Sequence, residues 1–370
     1  MLNLSYIAAA CSVYCDGPLL RTVQLYNLFN DSKYFVDMPM KRNPDDILQS
    51  FADLTANHSV LPDESAMRVF LDDNFYAAGS DLLTWTLPDY QRNPAFIEKI
   101  AYAPYRAWAR SINDLWKDLA KIVNNTWVLS NPSRHSFLPR QSGMVVPGGR
   151  FRESYYWDSY FTILGLLTSD MPQTTRSVID NLLSDLSNFG FIPNGGRIYY
   201  LDRSQPPLLS DMVSAYFDYA MAFGGQNSSE SRAETMQYLN YSYFLLNNWW
   251  MDPETGHAVE VTDFPPVDGG ASSSYVLNRY FSNYTSPRPE SYYVDYYDGY
   301  FNGNFPSDKS DNNKFSINDT LRGNLAFFHS IRGAAESGWD FSSRWIDSHV
   351  EASEGNIERF VQFQGGIVVL

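Results

Sequence analysis

Segments of helical periodicity follow one another along most of the chain. Apolar residues spaced three and four apart predict helices over the ranges 156–169, 174–189, 209–223, 230–250 and 318–337. The second of these opens on threonines suited to capping, and Gly190 follows it as a typical helix end. The segment 93–123 also places its apolar residues on one helical stripe, which Pro104 interrupts.

Other parts of the chain show weaker patterns. Residues 1–60 are predicted to form an extended leader, in which the sequence GPLLRTVQLYNLF at 17–29 is the clearest helix. Strand-like stretches are few and short. The best of them, residues 191–201, is predicted to form a hairpin that turns around Asn194-Gly195-Gly196.

The predicted helices alternate with long loops rich in proline, glycine and aromatic residues. Loops of that length and composition are more than connectors, so the functional residues are expected in them. The succession of helices predicts an all-α fold. Periodicity alone allows a bundle, a solenoid or a closed toroid.

The chain of 370 residues carries a net charge of -15, with acidic and basic residues interspersed. An acidic surface repels phosphate backbones and anionic lipid, which argues against nucleic-acid and membrane-surface partners. The sequence has no run of 18 apolar residues that would predict a membrane-spanning helix. Aromatic residues make up 16% of the chain, an excess that fits a site lined by rings, whose flat faces suit sugars. No protein partner is predicted.

The chain has two cysteines, Cys11 and Cys15, which are compatible with a small disulfide, two free thiols or half a metal site. Metal is the weakest alternative, because no second cysteine pair or nearby histidine completes a ligand set. No metal or organic cofactor is therefore predicted. An excess of Asn-x-Ser/Thr sequons favours a secretory route and a secreted or outward-facing protein. These sequons begin at Asn3, Asn30, Asn57, Asn124, Asn227, Asn240, Asn283 and Asn318.

The stretch PGGRFRESYYWDSYFTILGLL, from Pro147 to Leu167, has the most specific pattern in the chain. Its charged residues allow a purely structural interpretation, in which acids favour a helix N-terminus and arginines pair with them. The positions are more particular than that interpretation requires. The chain matches P-G-G-R-F-x-E-x-Y-x-W-D-x-Y throughout, and in this it resembles the first signature of the glycoside hydrolase family that contains the trehalases.

Three later stretches resemble the same family, in the expected order: FIPNGGRIYYLDRSQPP, SPRPESYY and AAESGWDFSSRW. The resemblance implies an (α/α)6 toroid with a pocket at one mouth for the two glucose units of α,α-trehalose. The residues that it implies for binding are Arg150, Trp157, Asp158, Asn194, Arg203, Ser204, Gln205, Arg288, Glu290 and Gly338. Asp340 matches the catalytic acid of the family.

These residue types suit the chemistry that the resemblance implies. A glucose hydroxyl donates one hydrogen bond and accepts others, and arginine, carboxylate and amide side chains complement both roles. Asp340 lies among aromatic residues in the sequence, and such surroundings raise a carboxyl pKa, as a general acid requires. A helix cap is the alternative role for this residue.

Hydrolysis with inversion needs a second carboxyl group, roughly 6.5–9.5 Å from the first, to activate the attacking water. In the trehalases this base is a glutamate beyond the WDFSSRW segment, and no glutamate of residues 347–370 has a similar context. The expected organisation is a leader (1–60), the N-terminal portion of the catalytic domain (61–346) and an atypical tail (347–370).

The resemblance thus predicts α,α-trehalose hydrolysis, in a chain that is incomplete at its C-terminus. The alternatives are a sugar-binding protein without turnover and another glycosidase of the same toroidal type.

Overall fold

The computed structural model describes residues 5–56, 62–223, 229–262, 274–301 and 325–340. Helices dominate these ranges. In chain order, the α-helices are α1 (Ser5–Tyr14), α2 (Pro18–Leu25), α3 (Ser32–Val36), α4 (Pro44–Ala56), α5 (Glu64–Asn74), α6 (Ala95–Glu98), α7 (Ala103–Asp114), α8 (Trp116–Leu119), α9 (Asn125–Ser130), α10 (Asp158–Thr168), α11 (Pro172–Phe189), α12 (Leu209–Phe223), α13 (Ser229–Leu245), α14 (Tyr292–Phe301) and α15 (Leu325–Glu336). A π-helical turn, Leu246–Trp250, continues α13.

Short strands occupy a small part of the structure. They are β1 (Leu82–Thr84), β2 (Ala120–Val123), β3 (Met144–Val145), β4 (Ala258–Thr262) and β5 (Ser274–Asn278). The first three form an antiparallel sheet in which Leu82 lies opposite Val123. Strands β4 and β5 form a separate antiparallel pair, with Ala258 opposite Asn278.

The helices predicted at 156–169, 174–189, 209–223 and 230–250 correspond to α10, α11, α12 and α13 with its π-helical turn. The last predicted helix, 318–337, corresponds to α15 over its described part, and residues 318–324 lie outside the described ranges. The tail 347–370 lies outside them as well. Helix α12 packs against α10, α11 and α13, and their apolar side chains share one core.

Helix α11 ends as its sequence indicates but begins differently. Gly190 follows it with a φ of 80°, a left-handed conformation that glycine adopts without a Cβ clash. The prediction of capping threonines is wrong, since Thr174 lies inside the helix. Asp89, from a distant loop, accepts hydrogen bonds from the amides of Gln173 and Thr174 at 2.6 and 3.2 Å. A cap supplied from so far away leaves no pattern beside the helix.

Residues 5–56 are largely helical, so the prediction of an extended leader is wrong. They contain α1 to α4, of which the sequence indicated only α2. These helices share a core with tyrosines from far along the chain, Tyr199 and Tyr296 among them. Short helices are marginal alone, and this tertiary packing stabilises them. Cys11 and Cys15 are joined by a disulfide at the end of α1.

The stripe predicted over 93–123 is divided among α6, α7, α8 and β2. Pro104 lies in the first turn of α7, where the missing N–H is not needed. Trp108 and Ile112 on this helix are exposed, Trp108 by 65%, so much of the stripe lies on the surface of the described structure. Residues 120–123 pair in the sheet, and there the helix prediction is wrong.

The hairpin predicted at 191–201 is also wrong. The segment pairs with the loop before α10 and does not fold back on itself. The Asn194 carbonyl accepts from the Tyr156 amide, and the Gly196 amide donates to the Ser154 carbonyl. Gly195 lets the ring of Tyr200 approach the backbone closely, because a Cβ at this position would lie 2.9 Å from that ring. The glycines therefore admit neighbouring side chains, and they do not form a tight turn.

The two largest hydrophobic cores meet beside these loops. Tyr155 and Tyr200 belong to the core of the N-terminal helices, and Tyr156 and Ile192 belong to the core of α10 to α13. Adjacent residues of one loop are thereby anchored in both cores. Among the described residues, no helix is both long enough and apolar enough to cross a bilayer.

Candidate active site

A cavity of about 780 Å³ opens where four segments converge: the loop before α10, the loop after α11, the turn before α14 and the residues that follow α15. Its volume lies within the range of small-molecule sites, roughly 300–1,000 Å³. The lining residues are Pro147, Arg150, Phe151, Tyr155, Trp157, Asp158, Asn194, Tyr200, Arg203, Gln205, Arg288, Glu290, Ser291, Ala335, Gly338, Trp339 and Asp340. The structure thus brings Asp340 and nine of the ten predicted binding residues to one cavity.

Arg288 links two carboxylates on opposite sides of its side chain. Its Nε and Nη2 donate to Asp295 at 2.8 and 2.9 Å, and its Nη1 donates to Asp340 at 3.0 Å. Burial acts to lower the pKa of Arg288, but Asp295 outweighs burial and raises this pKa further above its usual range. The guanidinium therefore stays charged at the edge of the cavity.

Arg203 and Glu290 form a second buried pair. Nη2 of Arg203 donates to Oε1 of Glu290 at 2.5 Å, and Nη1 donates to Asp202 at 2.9 Å. Burial acts to raise the pKa of Glu290, but Arg203 and Arg288 outweigh it and hold this pKa below the usual range. Oε2 of Glu290 has no hydrogen-bond partner among the described residues. Glu290 thus keeps one buried acceptor that the described residues do not satisfy.

Arg150 lies at the more open side of the cavity. Its Nε and Nη2 donate to Asp31 at 2.7 and 2.5 Å, and Nη2 also donates to the Glu290 carbonyl at 3.2 Å. The side chains of Arg150 and Asp31 remain 40% and 33% exposed. This pair is therefore weaker than the two buried pairs.

Trp157 and Asp158 occupy the start of α10. The amide of Trp157 donates to Oε1 of Gln205 at 3.0 Å, which ties the helix start to the loop after α11. Burial, reinforced by the charge of Asp340, raises the pKa of Asp158. Gly338 has a φ of 72°, and a Cβ there would lie 2.6 Å from the Trp157 ring. Glycine is therefore needed at this position both for its backbone conformation and for the approach of the indole.

Asn194 and Ser204 differ in their relation to the cavity. Asn194 lines it and donates through Nδ2 to the Ser204 carbonyl at 3.3 Å. Ser204 is fully buried beside the cavity, and its hydroxyl donates to the Ile192 carbonyl at 2.7 Å. The structure does not bring Ser204 to the cavity lining with the other nine residues. Its contacts fix the loop that carries Arg203 and Gln205.

Asp340 lies at the rim, with a side chain that is 32% exposed. Arg288 is its hydrogen-bond donor among the described residues, and this bond uses Oδ2. Oδ1 has no hydrogen-bond partner among the described residues. Residues 341–346, which complete the predicted WDFSSRW stretch, lie outside the described ranges.

Several residues that shape the site were not predicted from the sequence. Tyr155 and Tyr200 line the cavity and share a hydrogen bond of 2.7 Å between their hydroxyls. Glu336 is fully buried behind the lining, where it accepts from the Ser204 amide, the Phe281 amide and His257. The tyrosines stood inside quoted motifs, so a closer look there could have found them. Glu336 also lies inside a quoted motif, AAESGWDFSSRW, where its burial behind the lining leaves no separate signal.

Glu153 belongs to the signature stretch but does not reach the cavity. It lies in a fully buried group of charges, here named the closed ion cluster: Lys33, Asp37, Asp81, Glu153 and Arg197. Nζ of Lys33 lies 2.7 Å from carboxylate oxygens of both Asp37 and Glu153. The Tyr155 hydroxyl donates to Glu153, which links this cluster to the cavity wall.

Comparison with known proteins identifies one family. A family model described as trehalase matches residues 27–361. The chain is 40% identical to a trehalase of Dictyostelium discoideum over 336 residues, covering 90% of this chain and 51% of that protein. It is 37% identical to human trehalase over the same length, with the same coverage. Neutral trehalase Nth1 of Saccharomyces cerevisiae superposes with a TM-score of 0.39 and 26% identity, covering 55% of this chain and 34% of that chain.

A mostly helical protein with a sugar-sized cavity of arginines, carboxylates and rings is what a glycosidase of the all-α class requires. The chain belongs to the trehalase family. The predicted all-α class is confirmed, and family membership supports the (α/α)6 toroid that the resemblance implied. The chain spans about half the length of the curated relatives it matches. The family match runs to residue 361, into the segment that was expected to be atypical.

Proposed function

We propose that the protein hydrolyses α,α-trehalose to two glucoses with inversion, with Asp340 as the general acid. The observation that carries the proposal is the convergence of four distant segments, each matching a trehalase motif, on one cavity. Membership of the family supports the same substrate.

The charges of the lining support a neutral polyhydroxyl ligand. Three arginines and three carboxylic acids line the cavity: Arg150, Arg203, Arg288, Asp158, Glu290 and Asp340. Such a set offers many donors and acceptors without a strong net field, so it suits hydroxyl pairs better than a phosphate or another carboxylate. The rings of Trp157 and Trp339 supply flat faces for the apolar side of a sugar.

In this proposal Asp340 donates the proton at the mouth of the site. Arg288 holds Oδ2, and a proton on Oδ1 can pass to the bridging oxygen as the bond to one anomeric carbon breaks. A carboxylate base, which is not assigned within the described cavity, takes a proton from the water that attacks that carbon from the opposite side, so its glucose leaves as the β anomer. The other glucose keeps its configuration and leaves as the α anomer.

We assign the acid alone within the described cavity. Glu290 is bound to Arg203, and Asp158 lies in the electrostatic neighbourhood of Asp340 itself. No base is assigned among the described residues. This observation favours one alternative, a trehalose-binding protein without turnover.

Glucose release from trehalose by the 370-residue chain tests the proposal, with Asp340→Asn as the matched variant. We expect release by the parent protein, in equal amounts of α and β anomers by proton NMR, and its loss in the variant. Equal release by both proteins would overturn the assignment of Asp340. Trehalose binding by a folded parent without any release would establish the binding function instead.

We further propose a secretory route for the protein. The disulfide between Cys11 and Cys15 is typical of an oxidising compartment. The sequon residues Asn30, Asn240 and Asn283 are exposed and so accessible to glycosylation. Expression in a eukaryotic secretory host should give a protein whose mass falls on treatment with an N-glycosidase. An unchanged mass would contradict the proposal.

A further inference from the structure

Asp295 is a fully buried carboxylate in the first turn of α14, behind the cavity wall. Its Oδ2 accepts from the amide and the Nε of Arg288 at 2.9 and 2.8 Å. Its Oδ1 accepts from Nη2 of the same residue at 2.9 Å. One carboxylate thus holds both the main chain and the side chain of Arg288.

The position of the Arg288 guanidinium follows from these bonds. Two parallel N–H···O bonds fix the plane of a guanidinium as well as its place. Once Nε and Nη2 are bound to Asp295, Nη1 is the nitrogen that extends towards the cavity, where it meets Asp340. Asp295 therefore determines where the last donor of Arg288 points, although it does not itself line the cavity.

The other arginines of the cavity are held in a similar way. Arg203 is bound by Asp202, and Arg150 is bound by Asp31, and neither aspartate is among the lining residues. Asp202 also accepts from Arg332, so it has a second structural role. Asp295 hydrogen-bonds Arg288 alone among the described residues, which makes it the clearest case for a test.

We propose that Asp295 is a positioning residue of the trehalose site, which acts by holding Arg288 against Asp340 and the substrate. The inference rests on the proposed function. The proposed role of Asp295 differs from that of a purely structural salt bridge in one respect. A structural pair stabilises the fold, whereas a positioning residue also sets the affinity for the ligand.

Removing the charge of Asp295 should disturb the site in a defined manner. In Asp295→Asn, the amide group points an N–H at the donors of Arg288, and the paired geometry is lost. The guanidinium is then free to turn towards Asp340, its remaining carboxylate partner. We expect the Kd for trehalose to rise by about tenfold or more, the usual effect of removing a residue that orients a binding group.

The experiment compares three variants with the parent chain. Asp295→Asn removes the charge, and Asp295→Glu keeps the charge but displaces the carboxylate. Asp185→Asn is the control, because Asp185 forms a buried pair with Arg140 that is not part of this cavity. Trehalose is titrated while the intrinsic tryptophan fluorescence is recorded, to which Trp157 and Trp339 at the cavity contribute, and urea unfolding measures stability in each protein.

The expected result is weaker trehalose binding in both Asp295 variants and unchanged affinity in Asp185→Asn, even if all three lose stability. Unchanged affinity in a folded Asp295→Asn would overturn the inference alone. If that variant does not fold, unchanged affinity in Asp295→Glu would overturn it. Failure of the parent to bind trehalose would overturn both the inference and the proposed function, so the two failures are distinguishable.

Discussion

Two groups of charged residues lie close together in this protein and are built from the same residue types. In the closed ion cluster, Lys33 and Arg197 are packed among three carboxylates, and every one of these side chains is fully buried. In the cavity cluster, defined as Arg150, Arg203, Arg288, Asp158, Glu290 and Asp340, the side chains face an open space. The first group is closed off by buried neighbours such as Tyr199 and Ser136, whereas the second lines a cavity that a ligand can enter.

The contrast separates residues of a single motif. Glu153 belongs to the closed ion cluster, whereas Arg150 and Asp158, three and five positions away, belong to the cavity cluster. Tyr155 lies between them, with its ring at the cavity and its hydroxyl on Glu153. The signature therefore describes a scaffold and a site together, and burial decides which residues serve which purpose.

Breaking the closed ion cluster should have the largest effect on stability. In Arg197→Met, Lys33 still contacts Asp37 and Glu153, and Arg152 still contacts Asp37, but Asp81 loses its arginine. An uncompensated buried charge costs about 3–5 kcal/mol. Urea unfolding measures this loss, with Arg68→Met as the control because the Arg68–Glu64 pair is exposed. A loss similar to that of the control would contradict the role of the cluster. A folded Arg197→Met with weakened trehalose binding would show that the two groups act as one.

Glu290→Gln should instead affect the ligand more than the fold. The substitution keeps the shape but removes the charged acceptor at Oε2, and a hydrogen bond to a charged group contributes about 2 kcal/mol, which corresponds to roughly 30-fold in Kd. Calorimetric titration with trehalose measures the change. An affinity equal to that of the parent would mean that this oxygen does not contact the ligand.

The same pair of proteins gives a pH-dependent prediction. Because Arg203 and Arg288 hold the pKa of Glu290 below its usual value of 4.5, its charge stabilises the folded state at all pH values above that range. The stabilisation is lost as the pH falls through the lowered pKa. The difference in the free energy of unfolding between the parent and Glu290→Gln should therefore shrink below about pH 4.5. A difference that grows on acidification would contradict the sign of the shift.

The comparison also explains what could be predicted from the sequence. Helices α11 and α12 were predicted because each has a continuous apolar stripe, and the cavity residues were found because they lie in family motifs. Helices α1, α3 and α4 were missed because they depend on packing against residues far along the chain. Asp295 and Asp202 were missed because an aspartate that holds an arginine from behind resembles any surface aspartate in the sequence.

The glycine in the last motif offers a sharper test of the cavity wall. In Gly338→Ala, the new Cβ would displace the Trp157 ring, and the positive φ would strain the backbone by about 1 kcal/mol. Gly190→Ala is the matched control, since it has a similar φ of 80° and nothing within 4 Å. Gly338→Ala should lose more stability than Gly190→Ala, because the contact with the ring adds to the strain, and only Gly338→Ala should weaken trehalose binding. Equal affinities would mean that the indole position is unimportant for the ligand.

The smallest effect is expected at the exposed edge of the cavity cluster. Asp31 pairs with Arg150, and it also caps α3 by accepting from the Lys33 amide at 2.9 Å. Asparagine caps a helix as well as aspartate does, so Asp31→Asn removes the charge while the cap is retained. An exposed pair contributes about 0.2–1 kcal/mol, and salt screens it. Trehalose affinity should therefore fall only a few-fold at low salt and match the parent near 1 M salt, where a buried pair such as Arg288–Asp295 would still show its effect. A loss of affinity that persists at high salt would show that Arg150 behaves like the buried arginines. The edge and the interior of the cavity would then not differ in their response to salt.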